Sequence, residues 1–374
     1  MKMQIPFLDL SASVDGLRQD ILTDLARIID SGQWMLGPEV ESFEQEWAAF
    51  THSRCAVGVA NGLDALVLGL AACGVASGDE VVVPSNTYIA SWLAVSQLGA
   101  KPIPVEPDET TMNLALPGIA KAITARTRAI MPVHLYGGTA DLDSIIPFAH
   151  AHGLRVVEDA AQAHGTTLSN RRIGAHGDAV AWSFYPTKNL GAIGDAGAVT
   201  TDDPGIADRI ITSRNYGSRH RYVCEMIGRN SRLDVIQAAI LRRKLPMLEG
   251  WNARRAVLAR RYSAGLADTS LRLPTHHPSC ESNHHLYPVR HRLRDKLQHH
   301  LAERGIGTII HYPIPPHLQE AYRHLGYVRG SFPIAERIHD QVLSLPLHPW
   351  LPDADQERII CSIMDWDADH REGD

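Results

Sequence analysis

The sequence predicts an α/β protein: a large domain, residues 1–245, with a mainly parallel sheet covered by helices, then a smaller α+β domain, residues 246–374. Three observations carry this. Seven short apolar runs recur between residues 55 and 201, with helical patterns between them. The runs are continuous rather than alternating, as in strands buried on both faces. Near residue 245 the pattern changes to a long helical stretch and then to mixed short elements.

The first strand is 55–60 (CAVGVA), stopped by Asn61-Gly62. Leu63, Leu66 and Leu70, with Ala65 and Ala72, then repeat at helical spacing. The second strand is 80–84 (EVVVP), after which Ser85, Asn86 and Thr87 supply capping groups for a helix through Ile89, Trp92, Leu93 and Val95. Strands follow at 101–105, 128–134, 154–158, 179–184 and 197–201. Residues 236–245 and 252–266 form one long helical region, closed by the loop signal of Pro274, His276, His277 and Pro278. Beyond it the sequence predicts a strand at 286–290, a helix at 296–304, a strand near 308–311 and a helix at 333–343.

Composition narrows the function. Hydrophobic residues at 44% and charged residues at 21% are ordinary for a soluble globular chain. A net charge of -6 supplies no basic field for nucleic acid or anionic lipid. Arg254, Arg255, Arg260 and Arg261 are expected on a solvated helix face. The five cysteines (Cys55, Cys73, Cys224, Cys280, Cys361) form no CxxC pair, which suits a reducing, cytoplasmic setting. MKMQIPFLDL lacks the apolar core of a signal peptide, and no apolar stretch approaches the roughly 20 residues of a membrane span. The histidine pairs 276–277, 284–285 and 299–300 match no standard zinc spacing, so no metal is expected.

In open parallel sheets, ligands bind beyond the carboxyl ends of the strands. Asp159 directly follows one such strand. A carboxylate there could hold a pyridine nitrogen protonated and make the ring an electron sink; taken alone, it reads more readily as the cap of a helix starting at Ala160. Lys188 lies just past another strand, in a loop rich in glycine (Gly191, Gly194, Gly197). A lysine amine attacks an aldehyde only when neutral, so such a site must lower its pKa. Gly62, between a strand and a helix, would let an anion approach the helix N-terminus. Tyr88 could stack on a planar ring or pack in a core. Their order along the chain is the stronger signal: anion turn, aromatic, aspartate, serine, lysine. Together they point to pyridoxal phosphate.

At these residues the chain strongly resembles the DegT/DnrJ/EryC1/StrS family of sugar aminotransferases, pyridoxal-phosphate enzymes of fold type I. The resemblance runs through IPFLDL (5–10), LGPEVESFEQEWAAF (36–50), VGVANGLDAL (57–66), VPSNTYIAS (83–91), VHLYG (133–137), VEDAAQAHG (157–165), SFYPTKNLGAIGDAGAV (183–199), GRNSRLDVIQAAIL (228–241), HYPIPPH (311–317) and SLPLHP (344–349). It implies that Lys188 bonds covalently to the cofactor and moves the proton, and that Asp159 pairs with the ring nitrogen. Gln162 would bond the ring hydroxyl, Tyr88 would stack, and Ser183 with the amides of Gly62 and Leu63 would hold the phosphate. Asn230 would reach the phosphate in a neighbouring subunit, which implies a homodimer with shared active sites. The family commonly carries Thr or Ser where Leu63 stands, so one hydroxyl contact is missing here.

A related branch that dehydrates sugars has histidine in place of the lysine; Lys188 favours transamination. The tract 214–234 resembles enzymes acting at C3 of dTDP-3-keto-6-deoxyhexoses, with Tyr185, His311 and Tyr312 matching the sugar pocket. Arg219 or Arg221 could meet the diphosphate or serve only surface solubility. The implied reaction moves an amino group from L-glutamate to a nucleotide-linked keto sugar, giving a Fuc3N- or Qui3N-type product for polysaccharide such as O-antigen. A C4 aminotransferase of a UDP- or dTDP-4-keto sugar and a non-catalytic, pyridoxal-phosphate-binding regulator are the alternatives.

Overall fold

The apolar runs assemble into one seven-stranded sheet. In chain order its strands are β1 (Cys55–Val59), β2 (Glu80–Pro84), β3 (Lys101–Val105), β4 (Thr127–Ile130), β5 (Arg155–Asp159), β6 (Ala179–Ser183) and β7 (Gly197–Thr201). In space the order is β1-β7-β6-β5-β4-β2-β3. From β6 to β3 every neighbouring pair is parallel. β7 runs antiparallel between β1 and β6, so the sheet is mainly parallel. This computed structural model describes residues 4–370. The remaining terminal residues, which belong to the N-terminal reading and to the outer limits of the two expected domains, lie outside the described residues.

Alternation along each strand divides its side chains between two cores. β2 sends Val82 to one and Val81 and Val83 to the other; β6 sends Val180 and Trp182 to one and Ala179 and Ala181 to the other. The helices, in chain order, are α1 (Arg18–Ser31), α2 (Pro38–Thr51), α3 (Gly62–Ala72), α4 (Ile89–Gln97), α5 (Leu116–Ala122), α6 (Leu142–Ala151), α7 (Pro204–Ser213) and α8 (Val235–Lys244). α3, α4 and α7 cover one face; α1, α2, α5, α6 and α8 contribute to the other. Trp47 of α2 anchors the core of Val82 and Trp182, its ring edge-on to Trp182 and Phe184 with centroids 5.1 Å away.

α8 does not run unbroken into the next helix, as the sequence suggested. A 3-10 turn at Leu245–Met247 separates it from α9 (Leu248–Gly265), because Pro246 has no N–H for the helical ladder. Leu248 sits in the core of Trp47, while Leu258, Tyr262 and Leu266 enter a third. There they meet β8 (Tyr287–Arg290), α10 (Arg294–Glu303), β9 (Val342–Leu345) and α12 (Asp353–His370), joined from the other end of the chain by Ile5. α11 (Pro333–Gln341) precedes β9.

Other expectations are corrected. The strand expected at 128–134 ends at Ile130, since Pro132 cannot donate to the ladder. Residues 308–311 make a single bridge, Ile309 to Ser344, between Gly307 and Pro313. The helix expected at 333–343 stops at Gln341 because Val342 and Leu343 pair with β8 instead. Arg255 is not on a solvated face: it is buried and donates to main-chain carbonyls of His284, His285 and Leu347. Arg254 and Arg261, by contrast, reach Asp353 at 2.6 and 2.7 Å. Among the described residues no helix is long and apolar enough to cross a membrane, and no cluster of His, Cys, Asp or Glu is placed to hold a metal ion.

Candidate active site

α3 starts where β1 ends. Asn61 caps it, its side-chain oxygen accepting from the Asp64 amide at 2.9 Å and its carbonyl from the Ala65 amide at 3.0 Å. The Gly62 and Leu63 amides are thus left without partners inside the helix, at the positive end of its dipole. Position 62 has no room for a side chain: a Cβ would lie 2.5 Å from the Cβ of Ser183 and 3.0 Å from its Oγ. Two amides and one hydroxyl therefore converge on one small cradle, suited to a phosphate.

β5 ends in Asp159, which is buried. Its Oδ2 accepts from Ser91 Oγ at 2.7 Å and its Oδ1 from the Ala161 amide at 3.2 Å. Ser91 lies 2.9 Å from the hydroxyl of Thr87. No helix begins after Asp159, so the capping alternative fails. The expected capping by Ser85, Asn86 and Thr87 is also absent. Tyr88 is the N-cap of α4 and makes no side-chain cap bond. Asn86 instead donates to the Met112 carbonyl, Ser85 to Glu106, and Thr87 pairs with Ser91. Ser91 sits one helical turn beyond Thr87, and only that spacing hinted at its part.

The lysine loop leaves β6 and is pinned on several sides. Lys188 N–H donates to the Tyr185 carbonyl at 2.8 Å, and the Leu190 amide donates to Nδ1 of His164 at 3.1 Å. Asn189 Nδ2 donates to Asn252 of α9 at 2.8 Å and to the Asn283 carbonyl at 3.1 Å. A Cβ at Gly191 would lie 2.4 Å from the Pro186 carbonyl oxygen, so only glycine closes the turn.

These elements enclose a cavity of about 490 Å³. Gly62, Leu63, Tyr88, Asp159, Gln162 and Ser183 line it, as do Tyr185, Lys188, His311 and Tyr312. The Oε1 of Gln162 accepts from the Tyr136 amide at 2.6 Å, which turns Nε2 towards the cavity and the Tyr312 hydroxyl, 3.1 Å away. Tyr88 is half exposed, its ring 5.0 Å from that of Tyr312 and tilted by 38°. His285 also lines the cavity, with Nδ1 bonded to Asn189 Oδ1 at 2.9 Å. Sequence reasoning missed it; its one signal was its place just before the apolar start of β8.

Three expected residues lie outside this cavity. Asn230 is exposed and bridges to Asn215. Arg219 is held by Asp208 and Glu225. Arg221 lies over the Tyr222 ring, 4.9 Å from its centroid.

The electrostatics suit a nucleophilic amine. Burial lowers the Lys188 pKa to about 8, while the Asp159 charge holds it up. Burial, then the Lys188 charge, lowers His311 to about 4. Burial, with the same cation as a lesser cause, lowers His285 well below its ordinary value. Both imidazoles are therefore neutral near pH 7. The amides and hydroxyl of the cradle suit a phosphate, Tyr88 and Asp159 suit a flat ring with a protonated nitrogen, and Gln162 Nε2 can donate to a ring oxygen. The residues present fit pyridoxal phosphate.

The DegT/DnrJ/EryC1/StrS aminotransferase family matches residues 16–364. The dTDP-3-amino-3,4,6-trideoxy-alpha-D-glucose transaminase of Streptomyces venezuelae is 51% identical over 364 residues, covering 97% of this chain and 96% of the relative. The dTDP-3-amino-3,6-dideoxy-alpha-D-galactopyranose transaminase of Aneurinibacillus thermoaerophilus is 47% identical over 359 residues, covering 96% and 98%. The crystal structure of S. venezuelae DesV in complex with a ketimine intermediate superposes with a TM-score of 0.95 at 51% identity, over 97% of this chain and 98% of that one.

Two outcomes follow. Gly62→Ala should weaken pyridoxal phosphate binding by about 10-fold or more, because Ser183 or the start of α3 must shift; absorbance titration of the cofactor-free protein measures this. Covalent uptake of the cofactor by Lys188 should speed up about tenfold per pH unit on the acid side of its pKa of about 8 and level off above it, since only the neutral amine attacks. Stopped-flow absorbance across pH checks the break point.

Proposed function

The chain belongs to the DegT/DnrJ/EryC1/StrS aminotransferase family, and from that premise we propose that it moves an amino group from L-glutamate to C3 of a dTDP-linked 3-keto-6-deoxyhexose. It is a sugar aminotransferase that works with pyridoxal phosphate. The observation that carries the reading is Lys188 and Asp159 opening onto one cavity beside the cradle of Gly62, Leu63 and Ser183. The choice of C3 and of a dTDP sugar is supported by two relatives named for 3-amino dTDP sugars, matched over nearly their whole length.

The bound cofactor supplies a carbonyl carbon that exchanges amines and a ring that accepts electrons. The chain's residues do the rest. Asp159, oriented by Ser91, keeps the ring nitrogen protonated. Gln162 orients the ring through its oxygen. Lys188 Nζ takes the proton from Cα of L-glutamate, whose amino group is retained while water supplies the keto oxygen of the departing 2-oxoglutarate; in the return half Lys188 delivers a proton to C3 of the sugar as its keto oxygen leaves in water. Tyr185, His311 and Tyr312 border the space left for the sugar.

We place this chemistry in a homodimer with shared sites. Asn230 is exposed and does not line its own cavity, and the tract before it exposes Tyr222 and Ile227, at 88% and 100%. Apolar side chains so exposed suit a partner surface. In that arrangement Asn230 meets the phosphate in the partner's site, and Arg219 or Arg221 meets the sugar diphosphate. Cytoplasmic work fits the five unpaired cysteines.

Lys188→Ala should abolish turnover and leave the fold intact by circular dichroism. The wild-type protein, given L-glutamate and either a dTDP-3-keto- or a dTDP-4-keto-6-deoxyhexose, should aminate only the former, at C3 by mass spectrometry and NMR. A 4-amino product would overturn the C3 reading.

A further inference from the structure

A second cavity, of about 280 Å³, lies beside the one that holds Lys188. The two share Thr187, His285 and His311 in their walls. Thr187 is the residue next to Lys188, so the side cavity borders the loop that carries the reacting amine. Its other walls are aliphatic or aromatic, with Leu8, Leu286 and Leu347 among them, except at Arg255.

Arg255 is only 3% exposed. Its Nη1 donates to the carbonyls of His284, His285 and Leu347 at 3.3, 3.2 and 2.7 Å. Its Nε has no acceptor. The other buried arginines all meet a carboxylate: Arg214 pairs with Glu44, Arg290 with Glu109 at 3.0 Å, and Arg294 with Asp295 at 2.6 Å. Among the described residues Arg255 has no such ion pair. Burial alone pulls its pKa to about 9. A guanidinium stripped of water and left without a counter-ion is costly to the fold, and an anion arriving beside it offsets that cost.

We propose that this side cavity seats the amino donor, with Arg255 binding a carboxylate of the amino acid and of the 2-oxo acid it becomes. The inference rests on the aminotransferase reading above and adds the donor site that sequence motifs did not reveal. The unpartnered Nε lies on one edge of a planar fork that matches a carboxylate. The apolar walls suit the methylene chain of the donor and disfavour a hydrated sugar diphosphate, which the larger, more polar cavity accommodates. With His285 and His311 neutral, Arg255 is the one cation lining the side cavity among the described residues.

The test is calorimetric titration of the holoenzyme with 2-oxoglutarate and, separately, with dTDP. Arg255→Gln should raise the Kd for 2-oxoglutarate about 10- to 100-fold, the loss expected for one charge-assisted contact, and leave that for dTDP within about twofold. Arg255 also ties main-chain carbonyls, so a second variant keeps it: Ile309→Trp fills the side cavity from its rim and should cause the same selective loss. Unchanged affinity for 2-oxoglutarate in either folded variant, or an equal loss for both ligands in both variants, would overturn the proposal. A wild-type holoenzyme that binds dTDP but no 2-oxo acid would instead show that the donor reading itself is wrong, and this proposal would fall with it.

Discussion

The site depends on the register between β5 and β6. Asp159 stands opposite Ala181, and the Ala160 amide donates to the Ala181 carbonyl at 2.9 Å. That pairing brings the carboxylate and the start of the lysine loop to the same edge of the sheet. A slip of one residue would exchange the faces of β5. Glu158, now fully buried and bonded through Oε2 to His134 Nε2 at 2.9 Å, would then turn towards the cavity in place of Asp159. The apolar neighbours resist such a slip, because Val156 and Val157 already fill opposite cores.

The second half of the chain completes what the sheet begins. Asn252 and Asn283 hold Asn189, and Lys244 Nζ donates to the Gly191 carbonyl at 2.9 Å, so the lysine loop is tied down at two points from outside the sheet. His285, His311 and Tyr312 close the cavity from the same side. A loop so held suits the proposed role of Lys188, which alternates between a covalent bond and proton transfer at one carbon. It also removes water around the amine, which is the physical cause of its lowered pKa.

Much of this was legible in the sequence, for definite reasons. Strands such as EVVVP and AVAWS read clearly because burial on both faces makes them uniformly apolar. Asp159 and Lys188 were legible only together, because strand ends in a parallel sheet share one edge. The reversed direction of β7 did not, since GAVTT looks the same in either direction. Ser91 and Arg255 escaped for a related reason. A serine inside a helix and an arginine in a basic cluster look solvated until the partner, or the lack of one, is visible in three dimensions. Asn230, Arg219 and Arg221 matched by motif, yet they lie away from the cavity of their own chain.

One amine, on Lys188, is proposed to carry the cofactor. Borohydride reduction of the cofactor-loaded protein, followed by peptide mapping with mass spectrometry, tests it directly. A pyridoxyl-phosphate adduct is expected on the peptide that contains Lys188 and on no other. An adduct on a different lysine, or a loaded protein that yields no adduct, would contradict it.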